Sequence, residues 1–327
     1  MTIMTKYKYT MKPLFEERMH ALMPDKTDFK AYEKTIHTPP LDFIRCNTLK
    51  ISPEKLLEKL KTKGWQVSQL YPKHPEIMLI TSNIGPGELG NALEHQLGYY
   101  YIQEVSSMLP VIALDPKPDD LVLDLCASPG SKTTQMAACM ENKGTIIAND
   151  LKIDRISILV SNLERCGVTN CIVTRKDAIA FCTHYSKSSL PKLDKILLDV
   201  PCSGEGTLRS SPKTFLQWNP KMIKKLSRQQ KKFFAFAVKC LKQGGTLVYS
   251  TCTHSPEENE EVVSFALENF PIKAETVHIP LKSRPGLTEW KNDKFHKEVS
   301  KACRIYPQDN DSEGFFVSKF TLLGEIK

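Results

Sequence analysis

Leu121-Val-Leu-Asp-Leu-Cys-Ala-Ser-Pro-Gly-Ser-Lys-Thr133 is the stretch on which the fold turns. It reads as a short apolar strand, an acidic residue, a tight Ser-Pro-Gly turn and the start of a helix. In an open parallel sheet, ligands lie beyond the carboxyl ends of the strands, where turn amides and helix N-termini converge. The turn over 127–132 offers backbone N–H groups to a ligand carboxylate, and Lys132 adds a charge. It is neither G-x-G-x-x-G nor a P-loop, because the lysine follows a single glycine. Downstream, strand patterns at 145–149, 171–174, 195–199, 246–250 and 315–320 alternate with helical ones at 132–140, 154–166 and 223–241. That alternation predicts a doubly wound α/β sheet. The last helix carries Leu226, Phe233, Phe234, Ala237 and Leu241 on one face, a stripe expected in the core. Asp150, ending the second strand, is placed to accept from ribose hydroxyls. Asp177, after the third, is placed to receive an adenine amino group.

Upstream, residues 1 to about 40 read as helical and break at His37-Thr38-Pro39-Pro40. Phe43-Ile-Arg-Cys-Asn-Thr-Leu49 reads as a strand. Ser52 caps the next helix, with Pro53 at its first position. Leu56, Leu57 and Leu60 share one face of it, and Gly64 stops it. Further strand patterns follow at 65–70 and 77–80. The expected organisation is a small α/β region over 1–110 and a catalytic domain over 111–327.

The 327 residues are 41% hydrophobic and 25% charged, ordinary for a globular protein. No run approaches the roughly 18 apolar residues of a membrane span. Lys6, Lys8, Glu16, Glu17 and Arg18 interrupt residues 1–22, which therefore lack a secretory core. A soluble cytoplasmic protein is expected. Ten cysteines stand without a C-x-x-C pair or a histidine cluster, which predicts free thiols and no metal site. The net charge is +8, and its distribution is uneven: residues 206–256 hold ten Lys or Arg and no Asp or Glu. This block reads either as a solvated helix face or as a phosphate-binding surface, with Lys224, Lys225, Arg228 and Lys232 as the candidate contacts.

Two cysteines end consecutive strands. Residues 195–199 run into Val200-Pro-Cys-Ser-Gly204, and 246–250 run into Thr251-Cys-Thr253. Both strand ends fall on the edge of the sheet that carries the cofactor turn, so Cys202 and Cys252 are expected to face one cleft. Nearby, Ser255-Pro-Glu-Glu258 reads as a capping box that opens a helix, with the acidic run 257–261 suiting its N-terminus. Trp218-Asn-Pro220 reads as a packed loop.

These motifs resemble the Sun-type (NOP/Sun) family of RNA (cytosine-5) methyltransferases. The matching segments are Arg45-Cys-Asn-Thr-Leu-Lys50, residues 98–108 with Gln103, Glu104, Ser106 and Ser107, residues 124–133, Asp199 to Gly204, Ser250 to Cys252, Arg304-Ile-Tyr-Pro307 and Gly314-Phe-Phe316. The chain departs from the family pattern at Ser131, where a second glycine is common, and at Gln308, where histidine is common. The resemblance implies a Rossmann-like class I, seven-stranded methyltransferase sheet with an N-terminal RNA-binding unit. It implies S-adenosylmethionine held by Cys126, Ala127, Ser128, Pro129, Gly130, Ser131, Lys132, Asp150, Arg155, Asp177 and Asp199. Cys252 would add to C6 of cytosine, Asp199 would contact N3 and N4, and Cys202 would assist release. Compact archaeal tRNA methyltransferases are the most similar members, so RNA, and tRNA in particular, is the expected partner. An rRNA substrate, a DNA (cytosine-5) methyltransferase and a non-catalytic RNA-binding factor are the rival readings. The DNA enzymes use the Pro-Cys thiol alone, which would leave Cys252 idle.

Overall fold

The computed structural model describes residues 11–326. Helices α1 (Pro13–Leu22) and α2 (Lys26–Ile36) precede strand β1 (Asp42–Cys46) and helix α3 (Pro53–Thr62). The part of the helical expectation that covers 1–10 lies outside the described residues. Strands β2 (Val67–Ser68) and β3 (Ile77–Ile80), short helices α4 (Glu88–Asn91) and α5 (Leu93–Gln96), and strand β4 (Tyr100–Ile102) complete a four-stranded sheet ordered β2-β3-β1-β4. Ser52 caps α3 through its hydroxyl, and Pro53 occupies the first position as expected.

Most of the remainder builds a second, larger sheet, apart from a two-stranded hairpin over residues 289–294. Helix α6 (Val105–Leu114) leads into β5 (Leu121–Asp124), α7 (Ser131–Cys139), β6 (Thr145–Asp150), α8 (Ile153–Cys166), β7 (Cys171–Arg175), α9 (Ala178–Lys187) and β8 (Leu193–Asp199). Then come α10 (Thr214–Gln217), α11 (Pro220–Ala237), β9 (Leu241–Thr251), α12 (Glu260–Asn269) and β10 (Ile272–Glu275). Short strands β11 (Arg284–Pro285), β12 (Glu289–Trp290), β13 (Asp293–Lys294) and β14 (Cys303–Ile305) precede helix α13 (Pro307–Asn310) and β15 (Phe315–Leu322). The path runs β11-β14-β15-β9-β8-β5-β6-β7, with β10 also on β15, so the sheet has nine strands and not seven. The reasons are the pairing of β11 with β14 and the length of β15. Its first residues pair with β14 and its last with β10, so two short strands share one edge. Strands β7, β6, β5, β8 and β9 are mutually parallel, and β15 is antiparallel to β9.

Two further expectations are corrected. The helix expected over 223–241 ends at Ala237, because Leu241 already pairs with Leu193 as the start of β9. The capping box at Ser255 does not form: α12 starts at Glu260, and the Ser255 hydroxyl instead donates to Glu205 at 2.8 Å. Most of the expected apolar stripe packs: Phe233, Phe234 and Ala237 are buried beside Tyr249 and Phe320, and Leu241 joins the same core from β9, whereas Leu226 is only half-buried and outside it.

Arg45, Asn47 and Lys50 join the two sheets. Arg45 Nη1 donates to the Ser131 carbonyl at 2.7 Å and Nη2 to Thr134 Oγ1 at 2.8 Å. Asn47 Nδ2 bridges the carbonyls of Gly98 and Cys166, both at 2.8 Å. Lys50 Nζ reaches Leu97 O at 2.9 Å and Arg165 O at 2.7 Å. On the far side, Arg304 pairs with Glu260 at 2.5 Å, both buried, and also donates to the His254 carbonyl at 2.8 Å. Removing one partner of such a pair strands a buried charge. Glu260→Ala should therefore lower stability by about 3–5 kcal/mol, read as a shifted midpoint in urea unfolding.

Candidate active site

Strand β5 delivers Asp124 to the sheet edge, and a tight turn returns the chain into α7. The Ser128–Pro129 peptide is cis, and Gly130 sits at φ 102°. A Cβ there would also come within 2.9 Å of Leu159 on α8, so backbone conformation and packing both call for glycine. Asn149 fixes the turn from beside it. Its Nδ2 donates to the carbonyls of Leu125 and Lys176, its Oδ1 accepts from Thr174 and Lys176 N, and its carbonyl accepts from Ala127 N. Asn149 was not singled out by the sequence; its only signal there is a polar residue in a buried parallel strand.

Asp150 is buried and faces the same turn. Its Oδ2 accepts from Ser128 N at 3.2 Å and from Arg155 at 3.3 Å, and Oδ1 accepts from Lys152 N. Arg155 also donates to the Ser128 carbonyl. Asp177 stands exposed and caps α9 through Oδ1, bonded to Ile179 N and Ala180 N. Cys126 to Lys132, Asp150 and Arg155 thus come together around one turn. The chemistry of these groups suits a nucleoside cofactor with a carboxylate. The first N–H groups of α7 have no intrahelical partner, and Ser128 Oγ is buried without a partner among the described residues.

The Lys132 side chain already has partners within the protein. Its Nζ forms an ion pair with Asp199 Oδ2 at 2.8 Å and donates to Ser107 Oγ at 2.9 Å. Asp199 Oδ1 accepts from Ser250 Oγ at 2.7 Å. The carboxylate ending β8 is therefore held by a cation from α7 and a hydroxyl from β9. Asp124, next to them, is fully buried and accepts from Thr133 at 2.7 Å; burial pushes its carboxyl up to about 7.

Cys202 and Cys252 meet. Their Sγ atoms lie 3.2 Å apart, and Cys252 N–H also points at Cys202 Sγ at 3.3 Å. All ten cysteines are free thiols. The hydrogen bond to Cys252 and then burial push the Cys202 thiol well above its ordinary range, so Cys202 keeps its proton beside its neighbour. Three ties fix the two loops to each other. Gly206 N donates to Cys252 O at 2.9 Å, Ser203 and Thr253 hydroxyls bond at 2.7 Å, and Glu205 accepts from Thr253, Ser255 and Trp218. Trp218 is thus a packed, buried residue as its loop suggested. Gly206 also accepts from Gly314 N at 2.8 Å, which ties in β15. Gln308 lies apart from this cluster and donates to Asp28 on α2 at 2.9 Å.

The basic block divides. Arg209 is buried and bonds Thr38, Pro39, Asp311 and Ser312, while Lys231 pairs with Glu261 and Lys242 with Asp194. Lys224, Lys225, Arg228 and Lys232 instead line, with Lys221 and Asp177, an open groove of about 540 Å³ along α11.

Comparison with known proteins places this geometry. The description "N-terminal domain of 16S rRNA methyltransferase RsmF" matches residues 11–105, and "16S rRNA methyltransferase RsmB/F" matches residues 111–321. The chain belongs to the RsmB/F methyltransferase family. A tRNA (cytosine(49)-C(5))-methyltransferase of Pyrococcus abyssi is 41% identical over 96% of this chain and 97% of its own length. A ribosomal RNA small subunit methyltransferase F of Pectobacterium carotovorum is 37% identical over 93% of this chain, which spans 61% of that relative. Among solved structures, a methyltransferase homologue from Pyrococcus horikoshii has a TM-score of 0.83 at 34% identity, covering 95% of each chain. NSun6 from Pyrococcus horikoshii, solved with SFG, has a TM-score of 0.82 at 27% identity, covering 96% of this chain and 99% of its own. This RsmB/F member is an RNA methyltransferase with the class I fold, and its cofactor is S-adenosylmethionine. Among the described residues, no helix is long and apolar enough to cross a membrane.

The loop that carries Cys252 also holds His254, buried against Tyr306 and beside Gly314. Burial and then Arg304 push its imidazole down to about 3. Unfolded, it titrates near 6.5, so the unfolded chain binds the extra proton between those values. The stability His254 contributes is whole above pH of about 6.5 and is lost as pH falls towards the folded value, by up to about 1.4 kcal/mol per pH unit. Urea titrations of the wild type and His254→Asn across pH 5–8 should converge or cross on the acid side.

Proposed function

We propose that this enzyme methylates C5 of cytosine in tRNA, with Cys252 as the nucleophile. The observation that carries the reading is the pair of thiols 3.2 Å apart at adjacent strand ends, beside the Lys132–Asp199 ion pair. C5 of cytosine is too weak a nucleophile to take a methyl group unaided. Addition of the Cys252 thiolate to C6 makes C5 enamine-like, and Asp199 favours that addition by meeting the N3 and N4 edge of the base. S-adenosylmethionine supplies the electrophilic methyl group. The turn over 126–132, with Asp150 and Arg155, holds it, and Asp177 lies at the adenine end. The C5 proton then leaves to solvent, its electron pair restores the C5–C6 double bond and expels Cys252 as thiolate, and Cys202, which keeps its proton, assists by donating to the departing sulfur. The target base leaves its stack to reach this cleft.

The tRNA assignment is supported by the Pyrococcus abyssi relative, which matches over 96% of this chain and 97% of its own length and is named for a tRNA cytosine. The RsmF relatives support a second reading, an rRNA cytosine, at slightly lower identity. Free thiols throughout suit the reducing cytoplasm, where we place the enzyme. The lysine-lined groove along α11 supplies a phosphate-binding surface whose rim includes Asp177.

Two experiments test this reading. With RNA and S-adenosylmethionine, Cys202→Ala should give a denaturant-stable protein–RNA band, because it adds and transfers but releases slowly. Cys252→Ala should be inactive and give none, and the double variant should give none. Trapping by Cys252→Ala alone would exchange the two roles. Separately, alanine at Lys224, Lys225, Arg228 and Lys232 should weaken RNA binding and flatten its salt dependence, by roughly 0.7 in log–log slope per lost phosphate contact. Cofactor affinity should hold, and an unchanged slope would return the groove to a solvated helix face.

A further inference from the structure

The peptide groups on both sides of Cys202 are gripped from one place. Pro201 O accepts from Gln230 Nε2 at 3.0 Å, and Ser203 N donates to Glu258 Oε2 at 3.1 Å. The same Gln230 Nε2 donates to Glu258 Oε2 at 2.8 Å, which closes the grip. Both side chains are buried, Glu258 fully and Gln230 at 1% exposure. The Tyr249 hydroxyl donates to the Glu258 carbonyl and anchors the backbone beneath. Glu258 thus reaches across from the loop that follows Cys252 to hold the loop that carries Cys202. Its other oxygen, Oε1, is buried without a partner among the described residues.

We propose that Glu258, together with Gln230, is a positioning residue for the Cys202 thiol, holding it against Cys252 for the release step. The proposal rests on the reading of Cys202 given above. What it requires of Glu258 is an acceptor at Oε2 and not a charge. Burial pushes this carboxyl up to about 7, so near neutrality both of its forms are populated, and either can accept at Oε2. A glutamine, whose amide oxygen can take the same bonds, should therefore substitute, whereas alanine should not. Without the grip, the Pro201–Ser203 segment loses its restraint, and the thiol leaves the geometry in which it can act.

The test reads thiol placement apart from catalysis. Diamide takes two protons and two electrons from the thiols, becoming the hydrazine and leaving a Cys202–Cys252 disulfide, which peptide mapping identifies. The full chain should form this link rapidly and Glu258→Gln at close to the same rate. Glu258→Ala should be slower by about tenfold or more, and Gln230→Ala should also be slower. With RNA and cofactor, Glu258→Ala should accumulate the same denaturant-stable band as Cys202→Ala, and Glu258→Gln should not. Linking rates equal to wild type in both alanine variants would overturn the proposal. So would a glutamine variant as slow as the alanine one, since charge would then be the requirement. If Cys202→Ala fails to trap RNA, the reading of Cys202 falls, while the linking rates still decide whether Glu258 places the thiol. Melting and cofactor titrations accompany each variant; should Glu258→Ala not fold, Gln230→Ala decides.

Discussion

The pairing of Asp199 with Ser250 across the parallel strands β8 and β9 is the constraint on which the active site depends. Parallel strands in register release their chains at the same level of the sheet. The loops that follow therefore start side by side, and cysteines a few residues beyond each strand end land together. A register slip by one residue would turn every inward side chain outward and move one thiol away from the other. Ser250 reinforces the pairing by donating its hydroxyl to Asp199, whose second oxygen takes Lys132 from the neighbouring helix. Strand register, carboxylate orientation and the start of α7 are thus set by contacts that meet at one residue.

Around that point the polar groups are satisfied by one another in a largely buried network. Glu205 collects donors from Trp218, Thr253 and Ser255, which commits the single hydroxyl proton of Thr253 to it. The Ser203 hydroxyl must then donate to Thr253, so the proton order between the two cysteine loops is fixed. Networks of this kind are stiff when complete and costly when broken. The two loops that carry the chemistry hold no α-helix or strand, only a single 3-10 turn at Glu205–Thr207, and this network supplies the rigidity that longer elements provide elsewhere.

The strand–turn–helix at residues 121–133, the parallel strands and the meeting of Cys202 with Cys252 were legible in the sequence. Each rests on local signals: apolar runs, a Pro-Gly turn and cysteines just past strand ends. The nine-strand count was not legible, because β10 and β14 are only a few residues long and depend on the length of β15 to pair. The false capping box at Ser255 shows how a local pattern loses to tertiary demand. Its serine is needed by Glu205 and its second glutamate by Ser203, so the helix starts later. Lys132 was read as a ligand-facing charge because its partner, Asp199, is distant in sequence. Asn149 and Gln230 gave no signal, since an isolated amide in a strand or helix has no pattern to betray the carbonyls it will meet.

The joint between the two sheets has an asymmetry with a consequence for exchange of parts. Arg45, Asn47 and Lys50 reach mostly for main-chain carbonyls, at Ser131, Cys166 and Arg165. Every residue type carries that acceptor, so the catalytic side of this contact is written in backbone shape and barely in residue identity. The catalytic side adds few side chains of its own at this joint: Thr134 opposite Arg45, and Arg165, which donates back to the carbonyls of His95 and Tyr100. A foreign N-terminal unit would have to bring the side chains of Arg45, Asn47 and Lys50 on a strand and turn of the same shape, carbonyls placed for Arg165, and helices that fill the core around Phe215, Trp218 and Tyr306. The catalytic sequence, in turn, is free to drift at Ser131 and Cys166, where this joint uses only the carbonyl, whereas Thr134 and Arg165 are held to their identity by the bonds that their side chains make.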